Sequence, residues 1–339
     1  MRVKLILAFW LAGVMLAASA PAADFELHLP AGLDAYIPIP SGNPLTAEKV
    51  NLGRDLFHDK RLSRDETVAC STCHDPAKAF TDERPLAVGV FSRQGNRRVP
   101  TLVNRAYGKA FFWDGRIATL EEQVVQPILN DKEMDMTLEE VVARLKSVDG
   151  YRGRFQEAFG ISEINSENLA HALASYVRTI LSGSSPYDRY VLGDSNALSE
   201  EARRGLAIFR GKGNCTDCHL GPNLTDERFH NTGVAWRGGE LADTGRHKIT
   251  NNEMDKGAFK TPTLRQVVSR SPYMHDGSLP SLEAVVEFYS RGGNRNPYLD
   301  AEILPLGLTQ EEQRLLVRFL ESLTGDLHEG VPGRPARQR

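Results

Sequence analysis

Two short segments constrain this chain more than anything else in it. Cys70-Ser71-Thr72-Cys73-His74 and Cys215-Thr216-Asp217-Cys218-His219 repeat one pattern, Cys-x-x-Cys-His, 145 residues apart. Two thiols three positions apart can add to the two vinyl groups of one haem, and the adjacent histidine then reaches its iron, which makes the pattern a c-type haem attachment signal. Other readings fit less well. Disulfides or a redox dithiol leave both histidines unexplained. A single Cys₄ zinc site would have to join knuckles far apart in the chain. With four cysteines in 339 residues, a disulfide-built scaffold is excluded. The pattern predicts two covalently bound c-type haems, attached at Cys70, Cys73, Cys215 and Cys218, with His74 and His219 as iron ligands.

The repeat extends beyond the cysteines. Gly53-Arg54-Asp55-Leu56-Phe57 precedes the first motif and Gly205-Leu206-Ala207-Ile208-Phe209 the second; Thr81-Asp82-Glu83 follows the first and Thr225-Asp226-Glu227 the second. Pro100-Thr101-Leu102, Trp113-Asp114-Gly115 and Leu120-Glu121 are matched by Pro262-Thr263-Leu264, His275-Asp276-Gly277 and Leu282-Glu283. The spacings are equal: 13 residues from the proline to Trp113 or His275, and 7 more to the leucine. Equal order and spacing point to duplication of one unit. The length suits two domains, here taken as residues 23–190 and 191–339.

Helical signals dominate. Thr309 to Glu312 and Thr137 to Glu140 are capping boxes. The first opens an apolar stripe of Leu315, Leu316, Phe319, Leu320 and Leu323 that runs toward Gly325. The second precedes Leu138, Val141, Val142 and Leu145. A third helix is predicted from Ser166, with Leu169, Leu173, Tyr176, Val177 and Ile180 at helical spacing. No sustained period-2 alternation is present. Gly211–Asn214 and Gly238–Gly239 read as loops, and the tail from Glu329 as loose.

At the N-terminus, Arg2 and Lys4 precede an apolar run from Leu5 to Ala17 and the small residues Ala18-Ser19-Ala20-Pro21-Ala22. This is the form of a secretory signal peptide, residues 1–22, cleaved near Ala22. The apolar run is shorter than the ~20 residues of a membrane span. The mature chain then has 39 basic and 44 acidic residues, a charge of −5. Without a basic excess, nucleic acid is excluded as a partner. No later segment is apolar enough to span a membrane, so an exported, periplasmic protein is expected.

From about Leu45 to Gly325 the chain resembles the bacterial di-haem cytochrome c peroxidases, and more closely their MauG-like branch. The resemblance rests on Leu52-Gly53-Arg54 with Leu56-Phe57, the two haem motifs, Phe112-Trp113-Asp114-Gly115-Arg116, Pro272-Tyr273-Met274-His275-Asp276-Gly277 and Glu287-Phe288-Tyr289. It implies a mainly α fold of two cytochrome-c-like helical domains facing each other, one haem in each. It also implies a di-haem peroxidase in which hydrogen peroxide reacts at one haem while the other moves electrons.

Function then turns on the second axial ligands. In MauG-like proteins the residue matching Tyr289 ligates the C-terminal haem; in many simpler peroxidases of the family it is methionine. Taken alone, Tyr289 is as well explained as an aromatic core residue beside Val285, Val286 and Phe288, and Met274 and Met254 are rival ligands. In the repeat, the counterpart of Tyr289 is Pro127, which has no side-chain donor. The N-terminal haem is therefore expected to be open, and the C-terminal one closed by His219 and Tyr289. A phenolate is a hard anionic donor that favours higher oxidation states. Many family members also block the first iron with a loop histidine; the matching residue here is Val90, and Pro76 to Pro100 contains no histidine. His58 reads as a surface or supporting histidine.

Peroxide chemistry needs a proton carrier, and carboxylates suit the task. Glu121, Glu122, Asp131 and Glu133 are the candidates, among which the residues themselves do not choose. The resemblance implies Glu133, with Gln123 beside it and Pro127 over the iron. Trp113 is either core or, as the resemblance implies, a relay between the haems. Family members hold calcium through an asparagine two residues before the proline that matches Pro100. Here that position is Arg98, which cannot ligate a cation; Asn96 is the alternative.

Three functions follow. One is a MauG-like oxidase passing oxidising equivalents through Trp113 to the His/Tyr haem and on to a protein substrate. The second is a detoxifying cytochrome c peroxidase fed by a small cytochrome c or copper protein. The third is a non-enzymatic electron carrier, which Val90 and Pro127 oppose.

Overall fold

A computed structural model describes residues 25–332. The predicted signal peptide lies outside the described residues, as do the last seven residues. The chain is mostly helical. Among the described residues the strands form three antiparallel two-stranded pairs and no barrel.

Side-chain caps set where the main helices begin. The Thr46 hydroxyl caps Ala47–Phe57, Asn165 caps Ser166–Arg178, Ser199 caps Glu200–Arg210 and Ser281 caps Leu282–Ser290. Thr137 with Glu140 and Thr309 with Glu312 form the two expected capping boxes, opening Leu138–Lys146 and Gln310–Glu321. Such caps satisfy backbone N–H groups that the first helical turn leaves without a partner. The apolar stripes behind them face two separate cores. The first gathers Leu56, Phe57, Leu145, Phe155, Leu173 and Tyr176. The second gathers Leu206, Phe209, Val286, Leu316 and Phe319.

The two cores are built around the same crossing. Ala47–Phe57 packs on Ser166–Arg178, and Glu200–Arg210 on Gln310–Glu321. At each crossing a glycine lets backbones touch. A Cβ on Gly53 would collide with the Ala172 carbonyl, and one on Gly205 with the Leu315 carbonyl. The repeat extends to single hydrogen bonds. Thr81 and Thr225 hydroxyls donate to the Val99 and Thr261 carbonyls, both at 2.7 Å. Thr101 and Thr263 hydroxyls donate to Ala79 and Asn223, both at 2.6 Å. Phe112 and Met274 both sit at positive φ at the head of the Asp-Gly turn.

One feature refines the sequence reading of a loop and another differs from it. Gly238–Gly239 is the tight turn of a small hairpin, Trp236–Arg237 with Glu240–Leu241. The chain at Glu329 is docked rather than loose. Asp326–His328 pairs with Leu181–Gly183, and the Gly330 N–H donates to the Thr179 hydroxyl at 2.7 Å. Glu329 itself pairs with Arg54 at 3.3 Å and accepts from the Tyr176 hydroxyl. The end of the second half is thus tied to the first. None of the helices described is long and apolar enough to cross a membrane.

Candidate functional site

Each Cys-x-x-Cys-His segment forms one tight turn, closed by the histidine N–H donating to the first cysteine's carbonyl, at 2.9 Å in both copies. The turn delivers two thiols and an imidazole to one cavity wall. Cys70, Cys73 and His74 line a cavity of about 70 Å³. Cys215, Cys218 and His219 line a larger one, about 300 Å³. The four thiols form no disulfide. Because the pairs line different cavities, they do not gather around one tetrahedral ion. Burial pushes the Cys70 and Cys215 thiols up to about 12 and Cys73 to about 11.

The histidines are preset as ligands. His74 Nδ1 lies 3.0 Å from the Phe80 carbonyl and His219 Nδ1 3.0 Å from the Leu224 carbonyl. A ring nitrogen facing a carbonyl must carry the proton, which leaves the lone pair on Nε2. Burial lowers both imidazole pKa values, that of His219 to about 4, so both are neutral at ordinary pH. A neutral imidazole with its tautomer fixed is what a metal requires. Two thiols, a preset imidazole and an apolar cavity, twice over, fit a c-type haem at each motif.

The first cavity also collects Gln123, Pro127 and Glu133. Thr119 caps Leu120–Gln123, and Pro127 lies within the short helix Gln126–Leu129 that follows. Glu133 comes from the turn after it. Burial raises its pKa; a 2.7 Å hydrogen bond from Asn130 Nδ2 and the charge of Arg116 pull the other way. Gln123 borders both cavities, and its buried Oε1 has no donor. An unmet buried acceptor costs ~1–3 kcal/mol, so this atom awaits a proton donor in the cavity. The loop after the first motif closes on this site with Ala87, Val88 and Gly89. Gly89 permits the approach, since a Cβ there would strike the backbone of Lys132 and Glu133. Val90 is wholly buried, its N–H donating to the Glu133 carbonyl at 2.8 Å. Among the described residues, His74 is the only histidine lining this cavity and Met134 the only methionine.

The other acids named from sequence are placed elsewhere. Glu121 is clamped by Arg178 at 2.6 Å. Glu122 accepts from the Thr119 hydroxyl at 2.9 Å as part of the helix cap. Asp131 is exposed.

Tyr289 lines the second cavity, presented by Leu282–Ser290. Burial holds its phenol well above its usual range, so only a strong cation would draw the proton off. Met274 lines the same cavity, but Met254 is 84% exposed and drops out as a ligand. It sits in the Glu253–Asp255 turn on the surface, a placement its sequence context did not signal. His230 also lines the cavity. Its Nδ1 faces Asp300 at 2.6 Å and its Nε2 Asp226 at 3.0 Å, so both nitrogens are engaged.

Trp113 lies where the halves meet. Its indole Nε1 donates to the Arg98 carbonyl at 2.8 Å, and its ring stands edge-on to His275, centroids 6.5 Å apart. Phe259 stacks on His275, ring centroids 3.6 Å apart and 13° from parallel. Burial lowers the His275 imidazole to about 4, so it is neutral. Arg97 clamps this region, bonding Asp114 of the first half at 2.5 Å and Asp243 of the second at 2.7 Å. Asn130, Phe259, Arg97 and Asp243 carry no motif and escaped the sequence reading. Only the Asn130–Glu133 spacing was a local clue.

Comparisons with known proteins give the family. A model of the di-haem cytochrome c peroxidase family matches residues 47–196. The chain is 44% identical to the methylamine utilization protein MauG of Methylorubrum extorquens over 293 residues, 86% of this chain and 82% of that protein. It is 35% identical to the cytochrome c551 peroxidase of Nitrosomonas europaea, covering 85% and 84% of the two chains. The crystal structure of a MauG-like protein associated with microbial copper homeostasis superposes with a TM-score of 0.81 at 32% identity, covering 87% of this chain and 95% of that one.

Proposed function

The chain belongs to the di-haem cytochrome c peroxidase family, and on that premise we propose that it is a MauG-like peroxidase. Hydrogen peroxide reacts in the N-terminal cavity, and the oxidising equivalents pass by Trp113 to the C-terminal half and on to a protein partner. The protein acts after export to the periplasm, with its halves working as two haem domains. The observation that carries this reading is the convergence of Glu133, Gln123 and Pro127 on the cavity of the first Cys-x-x-Cys-His segment. Bound haem would supply redox-active iron at both motifs, open to peroxide at the first and confined to electron exchange at the second.

The chain's own groups do the rest. Pro127 offers no donor atom, so it fills space without occupying a coordination position. Gln123 Oε1 accepts a hydrogen bond from incoming peroxide and orients it. Glu133, as carboxylate, would take a proton from incoming peroxide and give it back to the departing oxygen as the O–O bond breaks, with bound haem supplying the two electrons and retaining the other oxygen. Its raised pKa makes it a better base than an ordinary carboxylate. The hydrogen bond from Asn130 favours its ionised form and aims it. On the other side, His219 and Tyr289, which line one cavity, would hold the second iron. Trp113, fixed by the Arg98 carbonyl and packed on neutral His275, relays the equivalent; an indole is among the side chains easiest to oxidise.

A second reading, detoxification of peroxide with electrons from a small cytochrome c or copper protein, is favoured by the likeness to a cytochrome c551 peroxidase. Steady-state turnover of peroxide with reduced small cytochrome c separates the two. The proposal predicts slow turnover with this donor. Rapid turnover, abolished in neither Tyr289→Phe nor Trp113→Phe, would replace it with the second reading.

A further inference from the structure

Arg98 is 4% exposed, and its guanidinium lies among backbone oxygens from both halves of the molecule. Nη1 donates to the Arg84 carbonyl at 2.6 Å, and Nη2 to the Asp82 carbonyl at 2.6 Å. From the second half, the Arg270 and Ser271 carbonyls each lie 3.2 Å from Nη2. The Thr81 hydroxyl is 3.5 Å away, and the nearest carboxylate oxygen, on Asp82, is at 3.6 Å. Four carbonyls gathered around one cationic group, one on Nη1 and three on Nη2, are oxygen donors of the kind a hard cation such as calcium takes. A bare cluster of this kind would repel itself; a cation at its centre is what holds it together.

A calcium ion does not fit here. The guanidinium fills the centre, and Arg270, also buried beside the cage, adds a second positive charge. Asn96, the alternative ligand, is exposed and accepts from Lys132 Nζ at 3.2 Å, away from the cage. The cage is also the hub of the interface. The Arg98 N–H donates to the His275 carbonyl at 2.7 Å, and the Arg98 carbonyl accepts from Trp113.

We propose that the Arg98 guanidinium is a resident cation, built into the chain, that joins the two halves and makes their arrangement independent of a divalent metal. A guanidinium stays charged over the whole accessible pH range and cannot be removed by chelators. This inference is independent of the peroxide chemistry and is tested without it.

The test is thermal melting of the holoprotein, in excess EDTA and in excess calcium, for the wild type and two variants. The wild type is expected to melt at the same temperature in both. Arg98→Asn leaves the cage without its cation and offers calcium an oxygen. It is expected to melt lower in EDTA by something on the order of 5–10 °C, as for a broken buried charged network, and to regain much of that in calcium. Arg98→Lys, which keeps the charge without the fork, is expected to melt between the two and to ignore calcium. A wild type that loses stability in EDTA would overturn the proposal. So would Arg98→Asn melting like the wild type in EDTA, or failing to respond to calcium. Should Arg98→Asn not fold, the wild-type and Arg98→Lys arms decide.

Discussion

Removing the Asn130 amide should move the pH dependence of the peroxide reaction without abolishing it. Asn130 Nδ2 donates to Glu133 Oε1 at 2.7 Å, a bond that favours the ionised carboxylate. A hydrogen bond to a charged group contributes ~1.5–3 kcal/mol, and one pKa unit is ~1.36 kcal/mol. Asn130→Ala should therefore raise the Glu133 pKa, already raised by burial, by a further ~1–2 units. The base form is the active one. The rate constant therefore falls as pH drops through the Glu133 pKa, and in the variant that fall begins ~1–2 units higher. Below both midpoints the variant is slower by about 10–100-fold; well above both, the two proteins react alike. The assay is stopped-flow mixing with peroxide across the acid range, with haem absorbance as readout. Glu133→Gln should lack this limb altogether and be slower by about 10²–10⁴ above the wild-type midpoint, the gap closing as pH falls below it. An acid limb that stays in place in Asn130→Ala would refute the reasoning and hand the acid–base role to another group.

Three further outcomes are expected. Tyr289→Phe should change the absorption and spin-resonance signals of one haem and leave the other untouched; two unchanged haems would remove Tyr289 as a ligand and return Met274 to consideration. Trp113→Phe should lose ~1 kcal/mol of stability with the bond to the Arg98 carbonyl. It should still consume peroxide at the first site but pass fewer equivalents to the second, and undiminished transfer would show another route. Gly205→Ala should cost about 1–3 kcal/mol in denaturant melts, because its Cβ meets the Leu315 carbonyl; a neutral effect would mean the crossing has slack.

Much of this molecule is legible in its sequence because its signals are local. The Cys-x-x-Cys-His turns, the capping boxes at Thr137 and Thr309 and the equal spacing of the two halves each lie within a few residues or repeat a fixed interval. What escaped depends on contacts between distant segments. Arg97 reads as one more surface charge until Asp243, 146 residues away, closes on it. Phe259 becomes part of the interface only when it stacks on His275. The Glu329 segment reads as a loose tail because the three backbone pairings of Asp326–His328 with Leu181–Gly183 leave no mark on side-chain pattern. Met254 carries a thioether donor like Met274, and only its exposure on the fold removes it as a ligand. The roles of Glu133, Gln123 and Pro127 came from resemblance; the fold supplies their meeting point, which no spacing rule gives.

The most direct test of the central claim is a stoichiometric peroxide titration of the fully ferric holoprotein, followed by absorption and spin resonance. An open first site predicts rapid spectral change with no prior reduction, ending at one peroxide per protein and involving both haems. No reaction until one haem has been reduced would mean that a ligand blocks the first iron, with Met134 the nearest suspect, and the MauG-like account would fall.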